Sequence, residues 1–267
     1  MRVESINIYP VKSTAPTSLT TSPVELAGLR HDRRWMLVDL DGARFSASKC
    51  DALLGVTAQV SDDGLVLSAD GLESIEVAMP VDGAHIPITV SRISTAVDAG
   101  DAAAEWFSTV AGHPVRLIWQ DDPSQRLIGP THGALGDESV SFADVGPLLL
   151  TSTASLAQLN EWIAEDHEPE TIVMRRFRPN VVVEGDIAPF AEDNWRHLRI
   201  GDVAYRFAEH CDRCVVTTID PLTLKHGREP IRSLARHRQW DHKTWFGIRI
   251  IPLSTGTLSV GDKVVVD

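Results

Sequence analysis

Apolar and polar positions alternate with a period of two along much of this 267-residue chain. In residues 3–9, Val3, Ser5 and Asn7 stand against Glu4, Ile6 and Ile8, the pattern of a half-buried strand. Pro10 breaks that strand, because proline cannot donate to a ladder. Trp35–Val38 reads as a buried strand, closed by a turn at Asp39-Leu40-Asp41-Gly42. From Val56 to Val97, short alternating runs such as Gly64–Ser68, Ser74–Val77 and Ile86–Val90 are separated by Asp-Gly and Pro signals. That spacing belongs to a β-barrel or sandwich. Across Asp98–Ala111 the period changes: Ala102, Ala103, Trp106, Phe107 and Val110 mark an amphipathic helix, which Gly112 and Pro114 end.

The second half repeats the style. Val115–Trp119 and Pro147–Leu150 read as strands, with the polar stretch Asp121–Asp137 between them as a boundary or mobile loop. Thr151, Ser152 and Thr153 are placed to cap a helix over Ala154–Ala164. In Met174–Val183, arginines again enter an apolar strand. Two short strands flank Gly201-Asp202, Glu229–Gln239 is a basic helix, and Trp245–Pro252 and Gly256–Val266 return to β. The expectation is a mainly β protein with a few helices (α+β), in two lobes: 1–120, barrel-like, and 121–267, a second barrel.

Composition narrows the partners. The chain is 43% hydrophobic and 23% charged, ordinary for a globular protein, and its formal net charge is −12. That charge argues against nucleic acid and anionic membrane as partners, since both want clustered Lys and Arg. Three cysteines make no disulfide framework, which fits a reducing compartment. Met1–Ile8 lacks the apolar core of a signal peptide, and no apolar run approaches the ~20 residues of a membrane span. A cytoplasmic location is the expectation.

Candidate chemistry sits where loops meet strands. Lys12-Ser13, Arg33-Arg34 and Arg178 with Asn180 can hold an anion, as arginine forks hold phosphate or carboxylate. Ser152 and Thr153 open a helix, whose free N–H groups attract anions as well as taking caps. The most pointed stretch is Cys211-Asp212-Arg213-Cys214, followed by the β-branched run Val215–Ile219, which reads as a strand. No second C-x-x-C and no H-x-x-x-H spacing supply the four ligands of a zinc site. A thioredoxin-like dithiol would open a helix, against the β character of Val215–Thr218. A single thiolate ligand to a soft metal remains, beside the plain reading of a buried small hydrophobe, and a neighbouring guanidinium favours the ligating thiolate form.

Here the residues resemble a known family. Cys211–Thr223 is similar to the signature of the MOSC (molybdenum cofactor sulfurase C-terminal) domain, in the group of the mitochondrial amidoxime-reducing component and its bacterial relatives. Ile8–Ser13, Gly28–Arg30 and Asp32–Trp35 resemble that group's N-terminal β-barrel domain. Leu150–Leu156, Phe177–Val181, Glu192–Trp195 and Leu198–Asp202 resemble its MOSC domain. The resemblance implies the molybdenum cofactor (Mo-molybdopterin), with Cys214 as metal ligand and catalytic residue. It also implies cofactor contacts at Lys12, Ser13, Arg33, Ser152, Thr153, Arg178, Asn180 and Arg213. The implied activity is reduction of small N-hydroxylated compounds (hydroxylamines, amidoximes, N-hydroxylated bases), oxygen passing to reduced molybdenum. A separate ferredoxin-, flavodoxin- or cytochrome-b5-like donor with its reductase would restore the metal. The alternative is a cofactor carrier or sulfur-transfer module with Cys214 as persulfide; a third is a binding protein without turnover. Two departures stand out. Asp212 replaces a serine of the eukaryotic members, and Leu224–Gly227 lacks the usual Thr-Gly, an expected loosening of that turn.

Overall fold

The computed structural model describes residues 1–165 and 170–267. It is mainly β, with three α-helices among the described residues: α1 (Asp101–Ala111), α2 (Thr153–Glu165) and α3 (Ile231–His237). None of them is long and apolar enough to cross a membrane.

The largest sheet draws on both ends of the chain. Its order runs Thr17–Leu19, Arg2–Ile8, Val181–Glu184, Leu148–Ser152, Lys243–Pro252, Val203–Asp212, His197–Ile200, Val264–Val266. One neighbouring pair is parallel, Leu148–Ser152 beside Val181–Glu184, and α2 lies on the crossover that such a pair requires. A second sheet, on the N-terminal side, orders His85–Val90, Ile93–Asp98, Arg116–Trp119, Trp35–Val38 and Arg44–Phe45. Trp35 and Leu37 face the core that α1 covers with Ala103, Trp106 and Phe107, while Met36 and Val38 face Ile88, Ile118 and Phe142. Burial on both faces explains why that strand reads as an unbroken apolar run.

The halves interleave. The first strand pairs with Val181–Glu184, and the late strand Gly256–Ser259 pairs with Thr21–Glu25. Side chains from both ends therefore meet along one seam.

The first strand departs from strict alternation. A register shift between Val3 and Ser5 puts Val3 on the same buried face as Ile6 and Ile8, because a bulge adds one residue and resets the period of two. The stretch Asp121–Asp137, expected as a boundary or mobile loop, is held in place at Arg126 and Ile128. Arg126 is buried within it and donates to the carbonyls of Ser91 (3.2 Å), Ala143 (2.8 Å), Asp144 (3.1 Å) and Ser141. Ile128 is buried as well, its N–H on Glu138 O at 2.8 Å. A buried guanidinium has to find acceptors, and here it gathers two loops to do so.

Candidate functional site

Val203–Asp212 brings the two cysteines to its end, and there they separate. Cys211 is buried and Cys214 is exposed. The β-branched run after Cys214 forms a 3-10 turn, Val215–Thr218, where a strand was expected. The threonines explain it: Thr217 Oγ1 donates to Cys214 O (2.9 Å) and Thr218 Oγ1 to Val215 O (2.8 Å), local bonds that draw the backbone out of extended form. The turn after it is also tighter than expected. Asp220 accepts from the N–H groups of Leu222 (2.9 Å) and Thr223 (2.8 Å), and that bonding holds its carboxyl down to about 2.

Between the cysteines, Arg213 is threaded into the chain. Its Nε donates to Phe246 O (2.9 Å) and its Nη1 to Phe177 O (3.1 Å). Arg213 thus ties the thiol loop to Phe177, the residue before Arg178. A narrow cleft continues from there, lined by Arg175, Arg178, Val216 and Pro221 from the C-terminal half and by Ala15 and Leu54 from the N-terminal half.

The other candidates converge from the N-terminal side. The ring of Tyr9 carries two guanidiniums, Arg33 at 4.2 Å and Arg178 at 4.1 Å from its centroid. Arg33 donates to Asp32 (2.6 Å), to Asn180 Oδ1 (2.9 Å) and to Arg178 O (3.2 Å). Asn180 is fully buried and spends its amide on the chain, accepting also from Leu149 N (3.1 Å) and donating to Asn7 O (3.1 Å). Lys12 Nζ reaches Phe142 O (2.8 Å) and Asp144 (2.5 Å). Ser13 is buried with its hydroxyl accepting from Ala47 N (3.1 Å).

Charge gathers around Asp144. Lys12 holds its carboxyl well below the usual range, and Arg249 and Arg33 add to this. Burial in turn pulls Lys12 down to about 8 and Arg178 to about 10. Arg249 bridges to the cysteine loop by donating to Glu209 (2.7 Å) and Asp212 (3.2 Å), and Lys243 stands 3.6 Å from Asp212. Beside Asp212 an aromatic wall begins: Trp245 is its cross-strand partner and stacks on Trp240, ring centroids 5.4 Å apart.

The structure thus brings Lys12, Arg33, Arg178 and Asn180 together near Asp144, while Arg213 ties the loop of the exposed Cys214 to Phe177, the neighbour of Arg178. It turns Ser152 elsewhere. That hydroxyl is fully buried, caps α2 by accepting from Ser155 N (3.1 Å), and donates to Glu192 (3.1 Å). Thr153 is half-buried at the first position of α2, with no side-chain hydrogen bond among the described residues. Sequence reasoning missed Asp144, Arg249, Arg126 and Arg175. A lone arginine inside Ile248–Ile251 was a legible signal for Arg249; Asp144 lies in irregular chain without one. Among the described residues no three His, Cys, Asp or Glu side chains gather as a metal group.

Glu192 carries a testable pH dependence. Burial pushes its carboxyl above the ordinary 4.5, so the folded protein keeps a proton that the unfolded chain releases. Unfolding free energy therefore falls as pH rises through 4.5 toward the higher folded value. Glu192→Gln retains hydrogen bonding without that slope, so its stability relative to wild type should improve from about pH 4 to pH 7. Denaturant titrations at both pH values check this, and an equal difference at the two would refute it.

Residues 137–265 match the MOSC domain and residues 1–114 the MOSC N-terminal beta barrel domain. The chain is 31% identical over 283 residues to mitochondrial amidoxime reducing component 2 of Rattus norvegicus, covering 98% of this chain and 82% of that protein. It is 30% identical to mitochondrial amidoxime-reducing component 1 of Homo sapiens, with the same coverage. It is also 30% identical to the molybdenum cofactor sulfurase of Danio rerio, covering 97% of this chain but 33% of that protein. The names of these relatives tie the family to amidoxime reduction and to the molybdenum cofactor. With its barrel, its MOSC signature and this full-length similarity, the chain belongs to the family of MOSC-domain proteins that carry the MOSC N-terminal beta barrel domain.

Proposed function

We propose that this protein is a molybdenum-cofactor-dependent reductase of N-hydroxylated compounds, with Cys214 as the protein's ligand to the metal. The observation that carries the reading is the exposed Cys214 thiol, two residues before the Val216 that lines an arginine-rich cleft, in a chain of net charge −12. A soft thiolate suits a soft metal, and guanidiniums short of carboxylate partners suit a phosphate-bearing pterin. The donor set fits on its own terms: among the described residues, Arg175 has a buried Nε with no partner, and Arg178 gives one N–H to Thr14 O (2.7 Å) but pairs with no carboxylate.

When bound, the cofactor supplies a two-electron centre for taking oxygen from an N–OH group. The chain's own contribution is binding and orientation. Cys214 would anchor the metal. Arg213, locked on the carbonyls of Phe246 and Phe177, fixes the loop that presents the sulfur. Lys12, Arg33 and Arg178 would meet the cofactor's anionic parts, and Thr153 has a hydroxyl to offer. Ser13, Ser152 and Asn180 would act behind them, as supports of the backbone. The substrate would enter past Asp212 and the Trp240–Trp245 wall. Overall, an N-hydroxylated compound, two electrons and two protons give the amine and water. The electrons would come from a separate ferredoxin-, flavodoxin- or cytochrome-b5-like protein, with its reductase.

Protein purified from a molybdenum-replete host should carry close to one molybdenum and one pterin per chain. It should convert an aromatic amidoxime to the amidine with an artificial electron donor. Full cofactor without turnover would overturn the reductase assignment. An exposed thiol also suits sulfur transfer; a mass gain of one sulfur atom on Cys214, in protein lacking molybdenum, would establish that reading in its place.

A further inference from the structure

We infer that Trp240 is a specificity-determining residue, giving the site a preference for N-hydroxylated compounds that carry a flat aromatic ring. The register of three neighbouring segments places it. Asp212 pairs with Trp245, and the pairing continues beyond them, because Arg213 N–H donates to Thr244 O (2.8 Å) and Thr244 Oγ1 to Arg213 O (3.2 Å). The next position in that register sets Cys214 opposite Lys243, and Lys243 pairs in turn with Trp240. Cys214, Lys243 and Trp240 thus form one cross-strand row. Side chains alternate along extended chain, so this row shares its face with Asp212 and Trp245, while Arg213 points to the other, toward Phe177 and Phe246. Two strand spacings, about 10 Å, separate the backbone of Cys214 from that of Trp240. A fused ring bearing an N–OH group is of that length.

Trp240 is also held ready. Its ring stacks on Trp245 with 20° between the planes, and the Arg238 guanidinium lies 5.0 Å from its centroid. Arg238 is itself fixed by Asp193 and by the Phe190 ring, 4.2 Å away. Of the two stacked tryptophans, Trp245 is half-buried and Trp240 is the open one, 36% exposed. An aromatic side chain locked by its neighbours yet open to solvent loses little entropy when a ring packs against it. Lys243 leaves the row passable. Its ammonium leans toward Asp212 (3.6 Å) and the Trp245 ring (5.5 Å), so its aliphatic stem lies between the thiol and Trp240. A small aliphatic compound at the thiol end of the row would leave Trp240 in water. Naming an N-hydroxylated compound as the occupant rests on the function proposed above; the aromatic contact rests on the row alone.

The test compares kcat/KM for naphthamidoxime and acetamidoxime, with an artificial electron donor, in wild type, Trp240→Ala and Trp240→Phe. Taking the ratio of the two substrates cancels differences in folding or molybdenum content between preparations. Wild type should favour the naphthyl compound. Trp240→Ala should lower the ratio about tenfold, chiefly through KM, and Trp240→Phe should restore most of it. An unchanged ratio in Trp240→Ala overturns the assignment. A second arm needs no turnover: naphthamide, which lacks the N–OH group, is titrated into isotope-labelled protein and followed by NMR. It should shift the indole N–H resonance that Trp240→Phe lacks. A resonance that stays in place overturns the assignment as well. If molybdenum-loaded protein turns over neither amidoxime while this resonance shifts, the reductase reading fails and the aromatic contact stands.

Discussion

Cys214→Ala is expected to strip molybdenum from the purified protein while leaving its melting temperature nearly unchanged. Cys214 is exposed, so removing its sulfur leaves no cavity, and an exposed substitution of this kind stays within about 0.5 kcal/mol. In the proposed role as ligand it has no substitute nearby: Cys211 is buried at the strand end, and Cys50 opens a separate turn on the N-terminal side. Loss of an outer-shell partner alone costs a metal site about 10–100-fold in affinity, so loss of the thiolate should cost more. Metal analysis of wild type, Cys214→Ala and Cys211→Ala prepared in parallel decides it. Cys211→Ala should keep its molybdenum. Retention of the metal by Cys214→Ala would sink the assignment of this residue.

Asp32→Ala is expected to destabilise the fold by about 3–5 kcal/mol, the range for removing one partner of a buried ion pair. Asp32 is 2% exposed. It accepts from Tyr9 N at 2.8 Å and from Arg33 Nη1 at 2.6 Å. Arg33 could not swing out to water, since Asn180 Oδ1 and Arg178 O also hold it. The variant therefore keeps a buried cation without its counter-ion and a buried N–H without its acceptor. Urea denaturation with the m-value monitored measures the loss. Asp32→Asn, which preserves a hydrogen-bond acceptor but not the charge, should fall between. A loss below about 1 kcal/mol would mean that Arg33 is charge-balanced from elsewhere, and the seam around Tyr9 would need another explanation.

Much of this architecture was legible in the order of residues. The Trp35–Val38 strand, α1 with its Trp106 and Phe107 face, and the Ser152 cap of α2 all depend on neighbours a few positions away. The arginine clusters at Arg33 and Arg178 were visible against an acidic background. Asp144 was not: its meaning comes from Lys12, Arg33 and Arg249, contributed by strands and loops far apart in the chain. Arg175 was legible as a charge; that its buried Nε lacks an acceptor among the described residues was not. Whether an arginine is neutralised, as Arg176 is by Glu170 and Asp220, is settled only by what folds against it.

The opening of the MOSC signature shows the same division. By itself, the sequence determined that two thiols and an arginine stand together at the end of a strand, because that is composition and short-range pattern. β-branching predicted that the strand would continue, yet the hydroxyls of Thr217 and Thr218 turned it, a local competition that propensity does not rank. Which sulfur faces solvent was left to the tertiary structure. Val203–Asp212 packs in the large sheet and buries Cys211, while Arg213 pulls on Phe177 and Phe246 and lifts Cys214 into the open. Periodicity is a property of neighbours along the chain; exposure and charge balance belong to neighbours in space.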